Sequence, residues 1–170
     1  LPHSKLSSMA RKWCDRGSCW AKRCGRDLGE FGMKAKVTWL DGRAFVGESA
    51  SGHAVVMDGA PEAGGRNTGV RPMEMMLLGL GGCTAFDVVM ILEKGREKVT
   101  SCEIELEAER ADAEPKVFTH VKLIYKLKGK NLKPASVERA IKLSEEKYCS
   151  ATAMFAKTAK IEHEWTVEEA

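Results

Sequence analysis

The 170-residue chain is 44% hydrophobic and 30% charged, the balance of a globular protein long enough for one domain with a sizeable core. Its net charge of +3 comes from residues 1–32, where seven Lys/Arg face three Asp/Glu; the remainder holds 20 against 21, so nucleic acid is not an expected partner. No apolar run approaches the ~20 residues that span a bilayer, and residues 1–32 carry no continuous apolar stretch of the secretory type. The expectation is a cytoplasmic protein without membrane partners, whose six cysteines are thiols rather than a disulfide framework.

An organisational break falls at Met33. Upstream, Trp13, Trp20, Cys14, Cys19 and Cys24 sit among scattered basic residues without a clean period. Their C-x4-C-x4-C spacing matches no usual zinc knuckle. Residues 1–32 read as an appended extension outside the native fold, and residues 33–170 as the domain. Lys34–Leu40 alternates Ala35, Val37 and Trp39 against polar neighbours, a half-buried strand, and Asp41-Gly42 is a hairpin turn signal. Strands over Arg43–Glu48 and His53–Asp58 follow. Gly59–Val70 is a loop of Gly, Pro and small residues. Pro72 then opens a helix that runs to Lys94 and stops at Gly95.

Val99–Arg110 places Cys102, Ile104, Leu106 and Ala108 on one face and four glutamates on the other. Glu114-Pro115-Lys116 turns the chain, and Val117–Leu127 alternates as the return strand. Pro134–Lys147 is an amphipathic helix with Val137, Ile141 and Leu143 inward. A second helical piece begins near Cys149, and Ile161–Val167 closes the chain as a strand. The order is βββ-α-ββ-αα-β, an α+β fold with antiparallel pairing. The helix from Pro72 is apolar nearly all round in its first half, which predicts burial on every side. Wrapping by the chain's own sheet and by a partner subunit satisfies that demand. Gly79, Gly81 and Gly82 weaken this helix by ~1 kcal/mol each against Ala, a cost that a close helix–helix crossing would justify.

Two cysteines, 66 residues apart, lie in helix-like apolar surroundings. Cys83 sits in Gly81-Gly82-Cys83-Thr84-Ala85, and Cys149 in Lys147-Tyr148-Cys149-Ser150-Ala151. One thiol that meets an oxidant and a second that resolves the product would be placed this way. An ordinary thiol, pKa ~8.5, is only a few per cent ionised at neutral pH. Cys83 lies over two turns into its helix, too far for the helix dipole to help, so a guanidinium is required. Arg110, Arg66 and Arg71 are the candidates. Asp87, one turn after Cys83 on the same side, would raise the cysteine's pKa unless an arginine intervenes. Glu74 would lie ~13 Å away on the opposite face of a straight helix, so it serves Cys83 only across a break or from a partner. No His/Cys/Asp/Glu set shows metal-ligand spacing and no phosphate loop is present; neither metal nor cofactor is expected.

Pro72-Met73-Glu74-Met75-Met76-Leu77-Leu78 leading into Gly82-Cys83-Thr84-Ala85, then a long hairpin, then Tyr148-Cys149-Ser150 heading a helix, resembles the OsmC and organic hydroperoxide resistance superfamily. Gly47-Glu48-Ser49-Ala50-Ser51-Gly52-His53, Phe86-Asp87-Val88-Val89 and Phe118-Thr119-His120 are similar to its YhfA-like branch. The resemblance covers residues 33–170. It implies an intertwined homodimer, with antiparallel sheets wrapped around a central buried helix. It also implies a thiol peroxidase acting on small organic hydroperoxides, with Cys83 peroxidatic, Cys149 resolving and a dithiol as reductant. The family's glutamate directly after the helix-opening proline is replaced by Met73, with Glu74 one place later, and neither Arg66 nor Arg71 sits in a matching motif. Two other uses of the scaffold stay open. One is a binding protein for a small apolar or acyl ligand without peroxidase turnover. The other is an acyl- or thiol-transfer enzyme with Cys83 as nucleophile.

Overall fold

The computed structural model describes residues 33–170; the expected extension over residues 1–32, with Cys14, Cys19 and Cys24, lies outside the described residues. The chain divides into two compact units that meet in sequence at Pro72 and Met73.

In the first unit, β1 (Ala35–Asp41), β2 (Ala44–Ser49) and β3 (Ala54–Met57) form an antiparallel meander in that order. The β1–β2 turn falls on Asp41-Gly42, as the dipeptide predicts. Gly42 takes φ +54°, and the Trp39 indole N–H closes the turn on the Gly42 carbonyl at 3.1 Å. The loop that follows is tied down by one carboxylate. Asp58 is nearly fully buried and accepts from the backbone N–H of Gly59 at 2.7 Å, of Arg66 at 3.1 Å and of Thr68 at 3.1 Å, and from the Thr68 hydroxyl at 2.7 Å. Four donors on one carboxylate organise a glycine-rich stretch that has no regular ladder of its own.

The second unit is built on α1 (Pro72–Lys94), β4 (Lys98–Arg110), β5 (Phe118–Lys130), α2 (Pro134–Leu143), a π turn over Ser144–Tyr148, α3 (Ser150–Phe155) and β6 (Lys160–Glu169). The sheet order is β4-β5-β6. The β4–β5 pair is the expected long hairpin, with Cys102 opposite Leu127 and Leu106 opposite Leu123. β6 instead runs parallel to β5, with Leu123 opposite His163, so this sheet is mixed. A parallel neighbour needs a crossover, and α2 and α3 supply it. On the solvent face, Lys122 pairs with Glu164 at 2.7 Å and Lys128 with Glu168 at 2.8 Å. On the other face, Val121, Leu123, Tyr125 and Leu127 of β5 are sealed against Leu80, Val88 and Leu92 of α1 and Val137, Ala140 and Ile141 of α2.

The four-residue stretch Gly79–Gly82 does not interrupt α1. By length and composition, α1 is the one described helix that could cross a membrane, with mean hydropathy 2.0 over an 18-residue window, of which 33% is buried. The expectation that no apolar run approaches a bilayer span meets this one exception, on length and composition only. Gly81 has a packing reason that sequence reading did not supply. A Cβ there would stand 2.7 Å from Leu106 Cδ1, so the glycine admits β4 and not a second helix. Gly79 and Gly82 face open space. Together with Met76 and Phe86, the latter 71% exposed, they form an apolar stripe that the described chain does not cover, so α1 is buried on one side only.

Candidate active site

α1 and the start of α3 carry the two thiols. Cys83 lies in the middle of α1 and is partly exposed, whereas Cys149 is 2% exposed. The π turn sets the second position. Its wider coil gives a Cys149 N–H to Ser144 carbonyl bond of 2.8 Å, spanning five residues where an α-helix spans four. The backbone then leaves helical geometry at Cys149 (φ −73°, ψ 98°), which caps α3. The Cys149 sulfur accepts the Thr152 N–H at 3.3 Å, the task usually done by a Ser or Asp oxygen.

The Cys83 sulfur, the Cys149 sulfur and an Asp87 carboxylate oxygen all lie within 4.8 Å of one another. A disulfide needs an S–S distance of ~2.05 Å; both thiols are free in this structure. The Thr84 hydroxyl sits 3.0 Å from the Leu80 carbonyl oxygen and 3.3 Å from the Cys149 sulfur. The Ser144 hydroxyl donates to Asp87 Oδ2 at 3.3 Å.

The two thiols are shifted in opposite directions. Burial pushes Cys83 up, and the neighbouring Cys149 and Asp87 push it further, against one favourable contact from the Ala151 N–H. Burial also acts upward on Cys149, but hydrogen bonds from Thr152, Thr84 and Cys83 outweigh it and hold this thiol below its ordinary value. The Thr152 hydroxyl is buried without a hydrogen-bond partner, so the weight falls on its N–H and on Thr84. Cys83 donates to the Cys149 sulfur, which favours the thiolate at Cys149 over that at Cys83.

Arg66 bonds Asp41 at 2.9 Å within the first unit. Arg110 donates its Nε–H to the Lys116 carbonyl at 2.7 Å and so closes the end of the β4–β5 hairpin. Among the described residues, no hydrogen bond or ion pair joins Arg110 to a thiol. Glu74 occupies the first turn of an unbroken α1, so the helix break that would bring it to Cys83 within one chain does not occur. Asp87 does converge with the thiols. Cys102 is held above its ordinary pKa by burial alone, as a core thiol should be.

Sequence reasoning did not single out Thr84, Ser144 or Thr152, although Cys149-x-x-Thr152 has the spacing of a helix cap. It also missed a polar chain that leads from buried Tyr125 to exposed Glu145. The Tyr125 hydroxyl lies 3.0 Å from His163 Nδ1, and His163 Nε2 lies 3.4 Å from Glu145. Beside the site, Met73, Leu80, Phe118, Ala151, Met154 and Phe155 line an apolar cleft of about 410 Å³.

The sequence profile of the family described as OsmC-like protein matches residues 65–164. The chain belongs to the OsmC-like family. It is 47% identical over 138 residues to Protein YhfA of Escherichia coli K12, covering 79% of this chain and 98% of that one. Its fold also matches that of a hypothetical protein from Aquifex aeolicus VF5, at 27% identity and TM-score 0.72, covering 81% of this chain and 97% of that one. The organic hydroperoxide resistance protein OhrB of Bacillus subtilis matches at 18% identity and TM-score 0.56, over 81% of this chain and 100% of its own. That last likeness concerns the fold alone.

Proposed function

We propose that this OsmC-like protein reduces organic hydroperoxides by a two-cysteine cycle, with Cys83 peroxidatic and Cys149 resolving. The observation that carries this reading is the convergence of two sulfurs, remote in sequence, to within 4.8 Å. Organic hydroperoxide resistance in the name of the OhrB relative supports the substrate class, and the apolar cleft beside Ala151 suits its organic portion. The Cys83 thiolate attacks the peroxide oxygen. The O–O bond breaks, an alcohol leaves and Cys83 becomes a sulfenic acid. The Cys149 thiolate displaces the sulfenic hydroxyl as water, forming the disulfide. An external dithiol reduces it by two exchanges and is itself oxidised to its disulfide. Two resting thiols also fit the reducing cytoplasm.

A homodimer belongs to the same reading. Cys83 borders the uncovered stripe of Met76, Gly79, Gly82 and Phe86 on α1. A second copy covering it would shelter the thiol and could bring a cation or a carboxylate such as Glu74 to it. The lowered pKa of Cys149 favours a second order of events, in which Cys149 attacks and Cys83 resolves.

The test is sulfenic-acid trapping with dimedone after one equivalent of cumene hydroperoxide. Adduct on Cys83 in Cys149→Ser supports the proposed order. Adduct on Cys149 in Cys83→Ser, with none in the reverse variant, supports the inverted one. No adduct in either variant, with no peroxide consumed by the parent, ends the peroxidase reading in favour of a ligand-binding role.

A further inference from the structure

We infer that Cys83, Cys149 and Asp87 form a site for a thiophilic divalent cation of the zinc class. The inference rests on the geometry of the three side chains and is independent of peroxide turnover. Two sulfurs and one carboxylate oxygen lie within 4.8 Å of one another. A tetrahedral zinc centre with Zn–S of ~2.3 Å and Zn–O of ~2.0–2.2 Å holds its donors ~3.5–3.8 Å apart. Contraction by about 1 Å through side-chain rotation closes the set. Sulfur donors select zinc, cadmium and their like over calcium or magnesium, which require oxygen cages.

Two further features suit the site to a cation. Asp87 is buried, yet among the described residues no lysine, arginine or histidine pairs with it. A buried carboxylate beside ionisable thiols lacks the counter-charge that normally offsets its desolvation. The ligands are also oriented from behind. Ser144 donates to Asp87 Oδ2 at 3.3 Å, while the Thr152 N–H and the Thr84 hydroxyl reach the Cys149 sulfur at 3.3 Å. Such supporting bonds accompany protein metal ligands.

Three protein donors leave a fourth position for water or a small ligand. Binding displaces the two thiol protons and leaves both sulfurs as metal thiolates. The metal-bound pair is then closed to disulfide formation until an oxidant takes two electrons from the sulfurs. A hydroperoxide with two protons would yield the disulfide, an alcohol, water and free cation.

The experiment uses the full-length chain carrying Cys14→Ser, Cys19→Ser and Cys24→Ser, which removes the only cysteines outside the described residues. Zn²⁺ is titrated anaerobically against a chromogenic chelator, and Cd²⁺ is followed by its ultraviolet thiolate charge-transfer band. The expected result is one cation per chain. Cys83→Ser and Cys149→Ser should each weaken Zn²⁺ about a hundred-fold or more and abolish or halve the cadmium band. Asp87→Asn should weaken Zn²⁺ by roughly ten-fold or more while keeping the full band, and Cys102→Ser should change neither. Circular dichroism of each variant separates loss of ligand from loss of fold. If the protein fails to compete with the chelator for Zn²⁺, or binds it equally well after all three ligand substitutions, the site is not a metal site. Zn²⁺ binding without hydroperoxide consumption keeps this inference and removes the peroxidase reading.

Discussion

The Thr84 hydroxyl bridges the Leu80 carbonyl oxygen at 3.0 Å and the Cys149 sulfur at 3.3 Å, and it has one hydrogen to give. While Cys149 is a thiol, Thr84 donates to Leu80 and accepts from the S–H. When Cys149 ionises, the hydroxyl turns to the sulfur and the Leu80 bond is released.

Removing that hydroxyl should cost the thiolate. Thr84→Val keeps the shape and deletes a hydrogen bond worth about 1 kcal/mol, which lowers the Cys149 thiolate fraction roughly five-fold. The alkylation rate of Cys149 in a Cys83→Ser background should follow a pH curve displaced to higher pH, and Thr84→Ser should restore it. An unmoved curve would show that the Thr152 N–H suffices.

Asp87 is a neighbouring charge that raises the Cys83 pKa. Asp87→Asn removes the charge and retains an acceptor for Ser144. The Cys83 pKa should fall, and its metal-free alkylation at pH 7 should quicken, because the lost negative charge no longer disfavours the thiolate. Slower alkylation would mean that Asp87 acts through an unrecognised cation.

The helical setting of the two cysteines is legible in the sequence. Cys83 and Cys149 each stand beside helix-forming apolar residues, and α1 runs from Pro72 to Lys94 as its proline and the terminal Gly95 predict. Their activating surroundings were not legible. Thiolate chemistry demands a cation, which points to the arginines, but Arg66 bonds Asp41 and Arg110 bonds the Lys116 carbonyl. Cys149 is instead tuned by neutral donors, whose effect depends on side-chain torsions and on a π turn that no periodicity announces. The parallel β5–β6 pairing was hidden for a related reason. An alternating strand has the same pattern whichever way it runs, and only the α2–α3 crossover decides it.

Asp58 makes the first unit acid-sensitive in a defined window. Its pKa is lowered from 3.8 to about 2, first by the Thr68 hydroxyl and then by backbone donors. The unfolded chain therefore binds this proton first as pH falls. The contribution is complete above pH ~4 and is lost on acidification towards pH ~2. Asp58→Asn should lower the thermal midpoint at pH 7 and flatten its decline between pH 4 and 2. An unchanged slope would assign the acid sensitivity to other carboxylates.

His163 acts at milder pH. Burial lowers its pKa below 6.5, and Glu145 opposes the shift only in part. The unfolded state takes up the proton first, so stability rises with pH through the window below ~6.5 and is complete above it. In denaturant titrations, His163→Gln should lose part of the stability gained between pH 5 and 7. An identical pH slope in both proteins would show that the imidazole is already charged in the fold.

The most direct test is a peptide map of the fully reduced, metal-free protein after one equivalent of cumene hydroperoxide. The predicted outcome is a single Cys83–Cys149 disulfide, formed in step with peroxide loss and erased by a dithiol. Consumption of peroxide with both thiols still free, or a bridge to Cys102 in its place, would contradict the account.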